Sequence, residues 1–456
     1  MGERIIDLDA APSSAPFKGW SRRNSLTLVV AVLAVVAAIL AVLAWPEPRP
    51  VPEVVGLRQT PVPAWTLAGA AYPAGTCGDR GLLTSDESRE GFVVVACLGL
   101  EDGRTRWEST YELDGGFGWV TMLPGTGYLT LQGERSIRLL DARTGELVDR
   151  IDFDPLGDER PVLVASDKGT PFYAEPTWGE LEPEWHLSRL NGTDPDDRVW
   201  DVQFGNVVAG WLAVGSPTES HGLAWFRGAS IPLARGFSLA VDLEDGTIPE
   251  WSRQLHDMVL LDGVVIGSSG TGLRAVSVGS GRTLWERDEW REEPVASGDA
   301  LYATQSPDSS EVDPRWGPVA GKLVRLDPHT GREIWNATFP HPVGAVATFG
   351  DVVLAIDQAG WETTNVPFHL TAVDPETGAA RWTREFEGEW LSDLKWGEEQ
   401  VLVMMPTGGD WGEDMRVIAL DLATGETRWE LDPEGYPFVI GGRLVTDDND
   451  GFVVYR

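Results

Sequence analysis

Along most of the chain, apolar residues come in short runs that alternate with polar ones or stand continuous, each broken by Gly, Pro, Asn or Asp. DVVLAIDQ (351–358) and EQVLVMMPT (399–407) are examples. Runs of this length predict β-strands, on which successive side chains point to opposite faces. One segment departs from this. Ser25–Trp45, SLTLVVAVLAVVAAILAVLAW, holds no charge. At ~1.5 Å per residue it is ~31 Å long, the thickness of a bilayer core, and predicts a transmembrane helix. No other stretch keeps a helical period.

A phrase recurs after the strand runs. LGLEDGRTRW, LAVDLEDGTIPEW, RAVSVGSGRTLW, VRLDPHTGREIW, TAVDPETGAARW and IALDLATGETRW end at Trp107, Trp251, Trp285, Trp335, Trp382 and Trp429. RLLDARTGELVD keeps the Asp and Thr-Gly but has Asp149 in place of Trp, and HLSRLNGTDPDDRVW reaches Trp200 through a distorted turn. The last three Trp intervals, 50, 47 and 47 residues, suit a propeller or solenoid. Each unit reads as three or four antiparallel strands whose edges radial repetition protects. In the phrase, Asp327, Asp374 and Asp421 end a strand and bond local backbone NH groups. Gly331, Gly378 and Gly425 supply positive φ at the turn. The Trp lies on the returning strand and fills the seam between sheets.

The phrase Leu/Ala-x-Asp-x-x-Thr-Gly-x-x-x-Trp resembles the signature of PQQ-like β-propeller repeats, which occur in quinoprotein dehydrogenases and in BamB-type outer-membrane assembly factors. The resemblance covers roughly 60–456. It implies an all-β propeller, expected here with eight blades and with seven to nine possible. The chain ends in YPFVIGGRLVTDDNDGFVVYR, the early strands of a unit, while TPVPAWTL near Trp65 supplies a missing last strand. An N-terminal strand completing the C-terminal blade closes the ring without a free edge.

The expected organisation is a cytoplasmic tail (1–24), the transmembrane helix (25–45), a Pro-rich spacer (46–63) and an extracytoplasmic propeller (64–456). Lys18, Arg22 and Arg23 precede the apolar run, which places the tail in the cytoplasm and the rest outside the plasma membrane. A signal peptide cleaved after Ala44 is the competing reading, against which stand the length of the run and Trp45-Pro46 as a start. Prolines at 46, 48, 50, 52, 61 and 63 favour an extended spacer. Cys77 and Cys97 lie in the first unit, where an oxidising compartment allows them to pair; two buried thiols are the alternative.

Charge and composition narrow the partners. The chain has 456 residues, a formal charge of −35 and 21 Trp, but only four Lys. Such an acidic surface repels phosphate backbones, so nucleic acid is excluded as a partner. Quinoprotein dehydrogenases stack vicinal cysteines on the cofactor; Cys77 and Cys97 are not adjacent, and no calcium or base motif matches. No cofactor, metal or catalytic residue is therefore assigned. GTGLRA (270–275) is followed by AVSV instead of a helix, and reads as a hairpin turn. TDDNDG (446–451) lacks the closing Glu of a calcium loop. The six His residues show no close metal spacing.

Long segments between second and third strands carry Trp178, Trp225, Trp316, Trp361 and Trp411 among Gly, Pro and acids. Antiparallel alternation puts them at the end of the ring opposite the Thr-Gly turns. Either these rings tuck back to hold the loops, or they form one aromatic, acidic face for a partner. The function expected is a non-enzymatic, membrane-anchored scaffold or recognition module binding an extracytoplasmic protein or cell-wall component. The alternative is a small-ligand sensor or quinoprotein-type enzyme using the central funnel.

Overall fold

The computed structural model describes residues 54, 57–68 and, apart from loop segments of which 205–216, 228–236, 306–319, 359–366 and 408–414 are the longest, 71–456. The strand runs assemble into seven four-stranded sheets and one seven-stranded sheet, all antiparallel. The seven-stranded sheet is two blades joined by a single register pair, Phe237 with Met258. In chain order, blades one to eight occupy 71–112, 119–152, 162–204, 218–254, 256–287, 295–339, 343–386 and 393–431. Blade nine combines 436–455 with the strand Pro63–Ala68, which pairs antiparallel with Gly451–Tyr455. The described residues thus form an all-β propeller closed by the strand Pro63–Ala68.

The described residues form nine blades, one more than the expected eight. The shared unit makes the ninth, and blades two and three both form. Their phrases are degraded, at Asp149 and before Trp200, yet each builds a full sheet because the strand runs supply the pairing.

Every blade is covered on both faces, and this explains why so many strands lack a polar side. Val352, Leu354 and Ile356 pack toward blade eight, whereas Val353 and Ala355 pack toward blade six. The whole strand Val352–Gln358 is buried. Nine apolar clusters fill the nine seams, the last joining Leu82, Leu98 and Leu100 of blade one to Val445, Phe452 and Val454 of blade nine. A buried Leu or Val contributes about 1.5–3 kcal/mol, so the seams hold the ring.

The recurring phrase locks those seams. Asp327 Oδ1 accepts bonds from the backbone NH of His329 and Thr330 (3.1 and 2.8 Å) and from the Thr330 hydroxyl (2.8 Å). Gly331 closes the turn at φ 65°. The Trp285 ring from blade five lies on Gly331; a Cβ there would sit 2.6 Å from Cδ2. Trp285 Nε1 donates to the Pro328 carbonyl at 2.8 Å. The same double contact joins Trp335 to Gly378 and Pro375, Trp382 to Gly425 and Leu422, Trp107 to Gly145 and Ala142, and Trp200 to Gly246 and Leu243. Trp65 does the same for Gly103 and Leu100. In each case the ring covers the turn glycine, and its NH reaches the carbonyl three residues before that glycine. Two of these Trp residues are followed two positions later by an Arg that bonds the glycine carbonyl itself: Arg287 to Gly331 and Arg384 to Gly425.

Two places depart from the pattern. In blade four the short helix Glu250–Gln254 carries Trp251 where a fourth strand is expected. In blade eight Trp429 donates to the Leu57 carbonyl at 2.8 Å. Val54 and Leu57, which the sequence assigns to the spacer, are buried with Trp429 and Leu444 between blades eight and nine. The spacer therefore ends before Val54: these two apolar side chains fill the turn position that blade nine lacks. Among the described residues no helix is long and apolar enough to cross a membrane. Residues 1–24 and the apolar run 25–45 lie outside the described residues.

Candidate functional site

The ring has two ends of different chemistry. The Asp-x-x-Thr-Gly turns join third to fourth strands at one end. At the other end the chain runs between second and third strands: 178 to 183, 227 to 237, 305 to 321, 358 to 368 and 406 to 415. These are the segments expected to carry the aromatic face. Trp316, Trp361 and Trp411 lie outside the described residues, and Trp178 ends the strand Pro171–Trp178.

Trp225 does not belong to that face. It sits inside the strand Leu223–Arg227 and is fully buried. Its ring stacks on Trp251 at 5.8 Å, and its Nε1 donates to the Ser220 carbonyl at 3.2 Å. Strand alternation explains the placement. Leu223 and Trp225 face blade five, while Ala224 and Phe226 face blade three. With both faces covered, an aromatic residue here enters a seam whichever way it points.

The Trp251 helix leaves a cleft of about 510 Å³ on the outer part of blades four and five, lined by His221, Asp242, Glu250, Trp251, Gln254 and Arg274 among others. Arg274 is already engaged, to Glu286 at 2.8 Å and to the Gln254 side-chain oxygen at 3.0 Å. The cleft is therefore a consequence of the missing strand, and its cation is neutralised.

Cys77 and Cys97 form a disulfide, with Cα atoms 6.0 Å apart. It ties the end of the first strand of blade one to its third strand. Gly81 makes room for it, since a Cβ there would meet the Cys77 carbonyl at 2.3 Å.

The concentration of chemistry lies where blade six passes to blade seven, at the end of the ring away from the Thr-Gly turns. Asp357 is one residue from the end of the second strand and pairs in register with His369 near the start of the third. Paired residues point to the same face, so both enter the seam toward blade six. His341 comes from the connector between the blades. Its carbonyl accepts from Gly321 NH at 3.0 Å, and the adjacent Pro342 carbonyl accepts from Gln358 NH at 3.3 Å. A side chain at Gly321 would collide with that His341 carbonyl, so the glycine lets the connector cross the sheet end.

The three side chains converge. His369 Nδ1 lies 3.3 Å from Asp357 Oδ2, and the two imidazoles stack at 5.6 Å with planes 14° apart. One potential ligand atom from each of His341, Asp357 and His369 lies within 4.8 Å of the others. The Asp357 carboxyl is fully buried while His369 keeps 19% of its side chain exposed. Burial pushes the Asp357 carboxyl above its ordinary value, against the downward pull of His369 and then His341. Asp357 Oδ1 and His341 Nδ1 are both buried without a hydrogen-bond partner. Spacing along the sequence does not reveal this set; only strand register brings residues 341, 357 and 369 together.

The family described as outer membrane protein assembly factor BamB matches residues 188–366 and 367–453, more than half of the chain. The chain belongs to this family. Among solved structures, BamB from Moraxella catarrhalis is 14% identical with a TM-score of 0.39, covering 86% of this chain and 99% of that one. A europium-containing methanol dehydrogenase is 12% identical with a TM-score of 0.40, covering 80% and 88%. The quinohemoprotein alcohol dehydrogenase of Comamonas testosteroni is 13% identical with a TM-score of 0.39, covering 87% and 76%. No curated protein matches the chain. Membership in the BamB family accounts for the repeated phrase and leaves the His341–Asp357–His369 cluster as a feature of one blade.

Proposed function

We propose that the chain is a protein-interaction scaffold of the cell envelope, non-enzymatic, held at the plasma membrane by residues 25–45 with the propeller outside. The observation that carries the reading is membership in the BamB assembly-factor family. The use made of the repeat supports it: Asp327, Gly331, Trp335 and their equivalents are spent on turns and seams. Recognition then falls to the segments that differ between blades. The Cys77–Cys97 disulfide suits an oxidising compartment, and the charge of −35 suits a partner with basic or neutral contacts rather than nucleic acid.

The partner is an extracytoplasmic protein or a cell-wall component, gripped through Trp316, Trp361 and Trp411. Photo-crosslinking amino acids at these three positions in the full chain, in its own membrane, test this. Adducts are expected from them and not from Thr377 or Thr424, which lie on turns at the other end. Equal capture from both ends, or none from either, refutes it. Replacing the three Trp residues by Ala is expected to abolish capture and leave the chain folded.

A further inference from the structure

We propose that His341, Asp357 and His369 form a binding site for one first-row divalent transition-metal cation of the Zn²⁺ class. The inference is independent of the scaffold reading.

The ligand set decides the class. Two imidazole nitrogens and one carboxylate oxygen suit Zn²⁺ and its neighbours, whereas Ca²⁺ and Mg²⁺ take sets built from oxygen. Around a tetrahedral cation with bonds of ~2.0–2.2 Å, donors lie ~3.3–3.6 Å apart. The observed limit of 4.8 Å therefore asks for side-chain movement of roughly one ångström. The exposed edge of His369 gives an entry path, and water can complete the coordination.

Two buried atoms point to a missing ligand. Asp357 Oδ1 and His341 Nδ1 have no partner among the described residues, although buried polar groups are almost always paired. A carboxylate shut away from water with one oxygen unsatisfied is destabilising. A divalent cation between these atoms would satisfy both and neutralise the carboxylate.

The fold does not require these residues. Register places Gln305 and Lys322 of blade six, Met405 and Arg416 of blade eight, and Ser269 and Gly272 of blade five at the positions of Asp357 and His369. Neighbouring blades thus form the same strand pair without a carboxylate or an imidazole. The connector brings His341 onto the same spot in blade seven.

The test uses the purified full-length chain, stripped with chelator and titrated with Zn²⁺ and, separately, with Co²⁺. One tightly held metal per chain is expected, with visible Co²⁺ bands of a low-coordinate nitrogen–oxygen site and no displacement by excess Ca²⁺. His341→Ala and His369→Ala should each weaken binding by at least about a hundredfold. His221→Ala, at the distant cleft, should leave it unchanged. Should the site variants fail to fold, the unaltered chain still decides. Absence of stoichiometric binding, or displacement by Ca²⁺, overturns the proposal. So does Zn²⁺ binding that survives loss of His341 and His369.

Discussion

Replacing Gly378 by Ala puts a methyl group where the Trp335 ring of the preceding blade already lies. The new Cβ would stand 2.6 Å from Trp335 Cε3 and 2.8 Å from Cδ2. The ring cannot withdraw freely, because its Nε1 is bonded to the Pro375 carbonyl at 2.8 Å. Overpacking of this kind costs about 1–3 kcal/mol. Gly378 also holds φ 72°, where an L side chain costs a further ~1–2 kcal/mol. Gly127→Ala separates the two terms, since Gly127 has φ 77° but no atom within 4 Å of its Cβ position. The difference between the variants is then the ring contact, roughly a five- to 150-fold change in the opening equilibrium. Hydrogen exchange followed by mass spectrometry reads that change, on the strands Glu333–Phe339 and Ala380–Phe386 for Gly378→Ala and on Trp119–Leu123 and Tyr128–Gln132 for Gly127→Ala. In a Trp335→Leu background the two glycine substitutions should cost the same. If Gly378→Ala and Gly127→Ala are already equal in the otherwise unaltered chain, the ring does not seal this seam and the account of the phrase fails.

Other outcomes follow from the same contacts. Reducing the Cys77–Cys97 disulfide, which closes a loop across a separation of 20 residues, should destabilise blade one by about 3 kcal/mol, read as faster exchange in Gly81–Arg89. Trp429→Phe keeps the packing but loses the bond to Leu57, about 1 kcal/mol, and should speed protease cleavage near Val54 and Leu57. Asp374 is held down to about 2 by Arg381 and then by Thr377, and Asp327 is lowered chiefly by the Thr330 hydroxyl. For a carboxyl whose folded value lies below its unfolded one, the stabilisation is complete above pH ~4 and disappears as pH falls toward 2. The thermal midpoint should therefore drop over that window, and Asp374→Asn should flatten the drop; identical profiles would show that the turn carboxylate contributes nothing.

The repeat was legible because its residues act locally. Asp327, Thr330 and Gly331 make one turn, and their spacing is visible in any window of the chain. The Trp335 seam could be read too, since the Trp stands at a constant distance from its own glycine. Its actual contact, Gly378 of the next blade, is one full repeat away. Trp225 shows where this reasoning stops. Set among Gly, Pro and acidic residues it resembles a loop aromatic, but LAWFR is a strand buried on both sides, and composition alone does not distinguish the two. Val54 and Leu57 were hidden by the surrounding prolines. Their burial depends on an opening between blades eight and nine that exists only after the ring closes. Nine units could be counted along the chain, and units two and three form their strands although the phrase decays.

His341, Asp357 and His369 were illegible for a different reason. Intervals of sixteen and twelve residues carry no periodic meaning, and a one-residue change in register between the second and third strands would send Asp357 and His369 to opposite faces. Their significance comes from comparing blades. A repeat fold tests each position several times over, and the strand pair forms equally with Gln305 and Lys322 or with Met405 and Arg416. Met405 and its neighbours gain apolar contact at that depth, whereas Asp357 buries a carboxylate with an unsatisfied oxygen. Architecture therefore supplies no reason for the acid in blade seven. A ligand does, and a cation held by two imidazoles and that oxygen is the one whose chemistry fits.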